Sequence, residues 1–537
     1  MRTLIALAGI LLGACGSAGG GAGDGGLDGD GGVPGSCEPF GRYGVPATTF
    51  TLPATGRGDL AYGDVQAAFP EVDWATLDRL YLPAGTYTTI RLENLPVRTA
   101  DRPLVITNLG GQVKVGPNLG GNFIWAMSGG ANWILTGRYD PTSMTGDAGF
   151  PGHRCGAYAN SRGTYGFLSD DAFDLTAPYL HMGLAVAGAT DFELEYLEIT
   201  RSGFAGIRLL NARGAGDPAM PMANVRVHDT YVHDTDGEGF YFGWTGAPPS
   251  NLFPGLQVYN NRILRTGTEA LQLQDLGDGS HVHHNVLAFA ALHWLDAFGN
   301  YQDGNNQILV REGAVEIDHN LIIGGAGTLL SFFSAPEPGD GERQVVFHDN
   351  HYADTRNLGG YLNGTAAAPS SFTFRDNTFR GLDFSYAAVD PAATDPGVVF
   401  GINPGHQAPI VFAGNTWDGD RSLVSGLVDN GTRGSVTATG NTRGPVAPVA
   451  FVDSGYPDEP VARLTLWGDV ATLAPGQPPI EYAVGDLVMY QAELYRARTA
   501  STGQVPPDHP EAWAHLPPPA DDVRTQPGSP YAALGVR

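Results

Sequence analysis

The sequence predicts an all-β protein: a right-handed parallel β-helix followed by a small three-stranded β module. First, a motif of alternating apolar residues recurs along the second half of the chain, with asparagine or threonine at one fixed slot. Second, the recurrence stops near residue 445, and an aromatic-rich stretch begins near residue 480. Third, the chain has 537 residues. That length exceeds one compact core but suits a solenoid, whose coils each pack only on their neighbours.

The slot residue marks each coil of the predicted solenoid. Asn261 and Asn285 are 24 positions apart (285 − 261), which suits one coil, and longer intervals indicate inserted loops. Asparagine tolerates a left-handed backbone and hydrogen-bonds to its neighbours above and below, so we expect a stacked column inside a turn. The slots are Thr230, Asn261, Asn285, Asn320, Asn350, Asn377, Asn415 and Asn441.

The slot pattern, together with composition, sets the domain boundaries. We expect the β-helix at 37–445, a linker at 446–479, the module at 480–517 and a disordered tail at 518–537. Residues 64–79 read as a short helical cap, and short strands separated by Gly, Asn and Pro follow it.

The N-terminus carries an export signal. A basic start and an apolar run too short to span a membrane precede Leu12-Gly13-Ala14-Cys15, which resembles a bacterial lipobox. The resemblance implies a signal peptide at 1–15 and a lipidated Cys15. A Gly/Asp-rich tether at 16–36 follows, holding the protein at the outer membrane or cell surface. An ordinary secretory signal, giving an extracellular protein, is the alternative. Membrane fractionation of Cys15→Ser separates them, because loss of the lipid should release the protein.

The remaining cysteines and the net charge constrain the environment and the partners. In an oxidising compartment, Cys37 and Cys155 form one disulfide or stay as two separate thiols. The formal net charge is −26, and Lys114 is the single lysine. Such a chain repels nucleic acid, so no nucleic-acid partner is expected, and we expect a monomer.

Two family resemblances follow from these motifs. Over about 45–445 the repeat resembles the pectate-lyase-like superfamily. Residues 480–516 resemble the chitin-binding type 3 module of carbohydrate-binding families 5 and 12, although Arg498 and Thr499 stand where that family places tryptophans. The resemblance implies a polysaccharide partner, chitin-like or another cell-wall glycan. The module's aromatic residues are either a sugar platform or the module's core; those in question are Tyr482, Tyr490, Tyr495 and Trp513.

Aligning the coils predicts a functional patch. Eight residues after three successive slots stand Glu238, Glu269 and His293. Counting eleven residues from the same three slots gives Tyr241, Gln272 and Asp296. Aligning Gly203 of the preceding coil with Gly267 adds Arg208, and we expect these four side chains to form one outward-facing row. Trp244 and Tyr301, in flanking inserts, are expected to wall a substrate groove. The histidines His228, His233, His281, His283 and His284 read as turn or surface residues rather than ligands.

The patch leaves three functions open. The carboxylates Glu238, Glu269 and Asp296 offer acid pairs for glycoside hydrolysis. Alternatively, calcium held by Glu238 and Glu269, with Arg208 and His293, supports β-elimination from a uronate by a polysaccharide lyase. The third possibility is a non-catalytic glycan-binding or adhesion protein. Every sequence feature except the patch fits that function equally well.

Overall fold

The computed structural model describes most of the two predicted folded regions. The described residues are 43–53, 58–117, 123–137, 162–172, 181–211, 222–243, 252–292, 306–310, 313–325, 328–332, 344–355, 357–362, 371–382, 395–402, 406, 408–424, 436–455, 465–466 and 481–536. Cys15, Cys37, Cys155 and the tether lie outside them, so the lipid anchor and the disulfide remain predictions. Within these ranges no helix is long and apolar enough to cross a membrane.

The chain winds as a right-handed parallel β-helix, which confirms the predicted fold. Each regular coil contributes three strands, and equivalent strands of successive coils pair in parallel to form three sheets. The first and second sheets share the long strands β3 (Arg79–Tyr87) and β5 (Leu104–Val115). The third sheet is separate and holds 12 strands within the described residues.

The strand bounds, sheet by sheet, are as follows. In the first sheet they are β1 Thr49–Thr51, β7 Ala131–Thr136, β10 Thr190–Glu195, β13 Arg226–His228, β16 Gln257–Tyr259, β19 His281–His283, β22 Val315–Asp318, β25 Gln344–His348, β28 Ser371–Arg375, β31 Ile410–Ala413 and β34 Val436–Thr439. In the second they are β8 Phe167–Asp170, β11 Leu197–Thr200, β14 Tyr231–Thr235, β17 Arg262–Thr266, β20 Val286–Ala288, β23 Leu321–Ile323, β26 His351–Ala353, β29 Thr378–Arg380, β32 Thr416–Trp417 and β35 Thr442–Arg443. In the third they are β2 Leu60–Tyr62, β4 Ile90–Leu92, β6 Trp125–Ser128, β9 Leu184–Ala187, β12 Ile207–Leu210, β15 Phe240–Phe242, β18 Leu271–Leu273, β21 Asn306–Val310, β24 Thr328–Phe332, β27 Gly360–Leu362, β30 Val398–Ile402 and β33 Ser422–Val424.

The slot residues form the predicted ladder, at the turn between the first and second sheets. The backbone N–H of Asn261 donates to Oδ1 of Asn285 at 3.1 Å, and the N–H of Asn285 donates to Oδ1 of Asn320 at 2.9 Å. The same bond joins each successive pair from Thr230 to Asn441. The buried column is therefore confirmed.

The left-handed backbone, however, is not at the slot. The positive φ belongs to the preceding residue, for example 55° at Asn260 and 54° at His284. That residue turns the chain, and the slot asparagine then points into the stack, where its Nδ2 also donates to a carbonyl of the previous coil, as Asn285 does to Val258 at 3.0 Å.

We expect Asn285→Leu to lower the free energy of unfolding more than Asn441→Leu. Asn285 is fully buried in the middle of the stack. Its replacement leaves backbone groups of neighbouring coils without their hydrogen-bond partner, at a cost of about 1–3 kcal/mol in unfolding free energy. Asn441 is half-buried at the last described rung of the ladder. Urea unfolding of both variants measures the difference, and equal losses of stability would contradict a stack held by its interior rungs.

The predicted cap is mostly not helical. The helix α1 covers only Val65–Ala68, because Pro70 disfavours helical backbone at the residue before it. Turns follow as far as β3, and Trp74 and Leu77 are buried at this end of the core.

The C-terminal module is a small β unit beside the solenoid. Strands β39 (Leu487–Tyr490), β40 (Glu493–Ala497) and β42 (Trp513–His515) form an antiparallel sheet, and β37 (Thr465–Leu466) adds in parallel. Strand β38 (Glu481–Tyr482) pairs with β41 (Ser501–Thr502), and a 3-10 helix covers Pro506–Asp508.

The tail predicted to be disordered is ordered. Strand β43 (Asp522–Thr525) pairs antiparallel with β36 (Phe451–Asp453), and Val523, Tyr531 and Val536 are buried. They share an apolar cluster with second-sheet residues that face out of the coil, including Leu264 and Leu321. The prediction of disorder was wrong because the apolar residues of the tail pack against the second sheet, which the tail's own composition does not show.

Candidate functional site

The outer face of the third sheet carries a recessed row of polar side chains. In each of β12, β15 and β18, the side chains on both sides of one polar residue are fully buried in the core, so that polar residue points outward. The three polar residues are Arg208, Tyr241 and Gln272. They pair in register, Arg208 with Tyr241 and Tyr241 with Gln272, as predicted. Tyr241 and Gln272 are nevertheless only 8% and 7% exposed, so these side chains are largely buried. We call this row, together with the adjoining residues 238 and 269, the recess.

The fourth predicted member of the row is wrong. Leu309 of β21 is the register partner of Gln272, so Asp296 does not hold that position. The prediction counted a fixed eleven residues from the slot, whereas β21 begins only at Asn306. Asp296 itself lies outside the described residues, as do three other predicted site residues: His293, Trp244 and Tyr301.

Glu238 and Glu269 occupy equivalent positions on adjacent coils. The N–H of Gly206 donates to the carbonyl of Glu238, and the N–H of Gly239 donates to the carbonyl of Glu269, both at 2.9 Å. One coil earlier, the N–H of Gly183 donates to the carbonyl of Ala205, so alanine occupies the position equivalent to the two glutamates. The predicted register of the two glutamates is therefore confirmed, and adjacent coils stand about 4.8 Å apart.

Close packing fixes the backbone beside this pair. A Cβ on Gly239 would stand 2.3 Å from the Ile263 side chain and 2.6 Å from the carbonyl oxygen of Ala270. Glycine is therefore needed there, and it lets the coils approach closely at the glutamate position. Glu238 and Glu269 are each 6% exposed, so both residues are largely buried beside the row.

Arg208 brings a positive charge to the same recess. Its Cζ lies 5.3 Å from the centroid of the Tyr241 ring, and its Nη1 lies 3.6 Å from Sδ of Met182. Burial lowers the pKa of Arg208, while nearby Tyr241 and Glu238 partly offset that effect. Arginine keeps its charge in proteins, and the nearby Glu238 favours the charged guanidinium.

The recess has the groups that sugar recognition needs. The amide of Gln272 and the phenol of Tyr241 can both donate to and accept from hydroxyls, and Arg208 can bind a hydroxyl or a carboxylate. The two glutamates can share a proton or act as an acid–base pair. Within the described residues, the two groups of three or more converging metal ligands lie elsewhere and include neither glutamate. Calcium on Glu238 and Glu269 stays a prediction.

The aromatic residues of the C-terminal module form its core. Tyr482, Tyr495 and Trp513 are 5%, 8% and 1% exposed, and the indole N–H of Trp513 donates to the carbonyl of Gln504. Tyr490 packs against them, partly buried. Of the two predicted alternatives the structure supports the core, because rings buried this deeply offer no face to a stacking sugar.

Sequence reasoning missed the outer face of the first sheet. His228 was read as a turn or surface residue, yet its side chain is 3% exposed, with Nε2 at 2.6 Å from Glu193 and Nδ1 at 2.7 Å from Asp229. The missed signal is a Glu-x-Glu or Glu-x-Asp strand followed, one coil later, by His-Asp at the slot turn.

No family model and no curated protein matches this chain. Among solved structures, it is similar to the GH136 lacto-N-biosidase from Eubacterium ramulus, with 12% identity, a TM-score of 0.38 and coverage of 68% of this chain. The alignment covers 62% of the biosidase, less than two thirds of its length. It is also similar to the A-module of the Azotobacter vinelandii mannuronan C-5 epimerase AlgE4, with 15% identity, a TM-score of 0.33 and coverage of 72% and 99% of the two chains. The endo-xylogalacturonan hydrolase from Aspergillus tubingensis has 11% identity, a TM-score of 0.32 and coverage of 74% and 92%.

Likenesses this weak assign no activity to the chain. The fold and the site define a class: a right-handed parallel β-helix protein with a row of largely buried polar side chains on its third sheet. The chitin-binding type 3 resemblance remains a prediction.

Proposed function

We propose that the protein binds a polysaccharide across the third sheet and cleaves it at the Glu238/Glu269 pair. The observation that carries this proposal is the placement of two buried glutamates at one position of adjacent coils, beside the row Arg208, Tyr241 and Gln272. A glycan chain lying along the solenoid axis would meet one polar side chain per coil.

The fold does not require the two acids. Ala205 fills the same position one coil earlier, so the turn forms without a carboxylate. Two like charges one strand spacing apart repel by about 3 kcal/mol at an effective dielectric constant of 20. Placing a second acid in the recess therefore costs stability, which favours a chemical role for the pair.

The spacing of the coils favours hydrolysis with retention of configuration. Retaining glycosidases hold their two carboxyl groups about 5–5.5 Å apart, whereas inverting enzymes need roughly 6.5–9.5 Å to admit a water. One glutamate would attack the anomeric carbon while the other protonates the leaving oxygen. The subsequent attack of water on the glycosyl–enzyme ester releases the sugar and restores both groups.

Arg208 favours a second chemistry on acidic glycans. Its guanidinium can neutralise the carboxylate of a uronate, which makes the neighbouring C5 proton more acidic. One glutamate would take that proton, the C4–O bond would break, and the other glutamate would protonate the leaving oxygen, which completes a β-elimination. Hydrolysis yields a new reducing end alone, whereas elimination also leaves a carbon–carbon double bond that absorbs ultraviolet light.

Incubating the protein with a panel of neutral and uronate-containing polysaccharides tests the proposal. We expect soluble oligosaccharides from at least one of them, and the presence or absence of the double bond then identifies the reaction. Retention of a glycan without product release would support the binding-protein alternative, and neither binding nor release across the panel would contradict a glycan site.

A further inference from the structure

Within the part of the chain that the structure describes, the same arrangement of acidic residues and histidine occurs twice on the outer face of the first sheet. In the first copy β10 supplies Glu193 and Glu195, and His228 ends the strand of the next coil. In the second copy β22 supplies Glu316 and Asp318, and His348 ends the strand of the next coil. In both copies an aspartate with positive φ follows the histidine and contacts its Nδ1. These contacts are 2.7 Å for Asp229 and 2.8 Å for Asp349.

The first copy is a closed ion cluster. The histidine and both glutamates are buried, and the hydroxyl of Tyr43 donates to Glu195. Burial alone would lower the pKa of His228, but Glu193 and Asp229 outweigh it and raise that pKa to about 9. A protonated imidazole thus occupies the centre of the first copy and satisfies its carboxylates.

The second copy is open and has one additional histidine. His281 of β19 is the register partner of Glu316, whereas Glu193 has Ile134 in the equivalent place. Nε2 of His281 contacts Oδ2 of Asp318. The His281 and Glu316 side chains are 30% and 50% exposed, so solvent reaches this cluster.

One ligand atom from each of three second-copy residues lies within 4.8 Å of the others: His281, Glu316 and Asp318. One imidazole nitrogen and two carboxylate oxygens are a ligand set that suits divalent first-row transition metals. Three protein ligands with solvent access leave room for water in the remaining positions, as in open metal centres.

Neighbouring side chains hold these ligand groups in place. His348 lies between Asp349 and Glu316, with its Nε2 at 2.8 Å from Oε1 of Glu316. Nδ1 of His319 lies 2.6 Å from the second oxygen of Asp318. Outer hydrogen bonds of this kind orient the ligands of metal sites. The first copy lacks the additional histidine and is closed by Tyr43.

We propose that His281, Glu316 and Asp318 form a binding site for a divalent transition metal of the Zn²⁺ class on the outer face of the first sheet. The ion would join two consecutive coils through β19 and β22. It would replace the contact between His281 and Asp318 with metal–ligand bonds and partly neutralise an acidic surface. The site lies on a different sheet from the proposed glycan recess, so the two proposals stand independently.

Metal titration of chelator-treated full-length protein tests the site. We expect calorimetry with Zn²⁺ to give one site per chain, and Co²⁺ to add visible absorption bands that Zn²⁺ then displaces. Zn²⁺ should also raise the melting temperature, because an ion that binds only the folded state stabilises it.

Two exposed ligands give variants that should remain folded, His281→Gln and Glu316→Gln. Each should weaken Zn²⁺ binding at least tenfold and remove the melting shift. His283→Gln is the matched control, since it lies two residues from His281 on the same strand and outside the ligand group. Absence of Zn²⁺ and Co²⁺ binding in the parent protein, or equal affinity in all three variants, would overturn the proposal.

Discussion

Asp521→Ala is expected to free the C-terminal segment from the β-helix and to lower the free energy of unfolding by about 3–5 kcal/mol. The Asp521 side chain is buried between second-sheet residues. Its two oxygens each lie 2.7 Å from an Arg265 nitrogen, and Arg162 lies 3.1 Å away. Removing one partner from a buried ion pair is costly because the remaining charges lose their compensation.

The charges that remain in the variant explain the size of this effect. Arg162 and Arg265 would still share the carboxylate of Asp234, which already pairs with both arginines and with His233. The Tyr231 hydroxyl would also lose the carboxylate to which it donates.

Urea unfolding and limited proteolysis measure the two consequences. The variant should unfold at lower urea and release a fragment containing 481–536. Asp508→Ala is the control, because Asp508 is exposed and lies in the same fragment, 481–536. Unchanged stability together with protease resistance would show that the network does not hold the segment.

The same network predicts sensitivity to acid. Burial alone would raise the pKa of Asp521, but Arg265 and Arg162 outweigh it and lower the pKa below its ordinary value. An acid with a depressed folded-state pKa contributes stability above its unfolded pKa of about 4 and loses it as the pH falls further. Asp521→Ala should therefore show a shallower loss of stability in acid than the parent protein.

The repetitive parts of the molecule were predictable from the sequence, and the long-range contacts were not. The asparagine ladder and the shared register of Glu238 and Glu269 follow from a local period that every coil repeats. Asp521 and Arg265 are separated by 256 positions. Asp521 lies outside the repeat, and the repeat around Arg265 indicates no partner for it, so only the folded chain shows that the two residues meet.

Inserted segments limit the counting method in the same way. Counting from the slot placed Tyr241 and Gln272 correctly, but it failed beyond Leu292, where β21 starts late. The constellation on the first sheet is visible in the sequence as Glu-x-Glu or Glu-x-Asp strands and His-Asp pairs. It was overlooked because each pair alone is an ordinary turn, and only the register shows that consecutive coils combine them.

Glu269→Gln is expected to lower the rate of glycan cleavage by about 10²–10⁴-fold, the usual contribution of a group that transfers a proton. The amide keeps the size of the side chain and removes one negative charge, so up to about 3 kcal/mol of repulsion with Glu238 disappears. The melting temperature should therefore stay equal or rise while activity is lost. Glu71→Gln, a change at an exposed glutamate of the β-helix, is the matched control.

The initial rate of product release, measured side by side for the parent, Glu269→Gln and Glu71→Gln on a glycan that the parent degrades, tests the central claim most directly. The predicted result is a loss of at least a hundredfold in Glu269→Gln, with an unchanged or higher melting temperature and full activity in Glu71→Gln. Full activity in a folded Glu269→Gln protein, or unfolding of that variant, would contradict a catalytic glutamate pair.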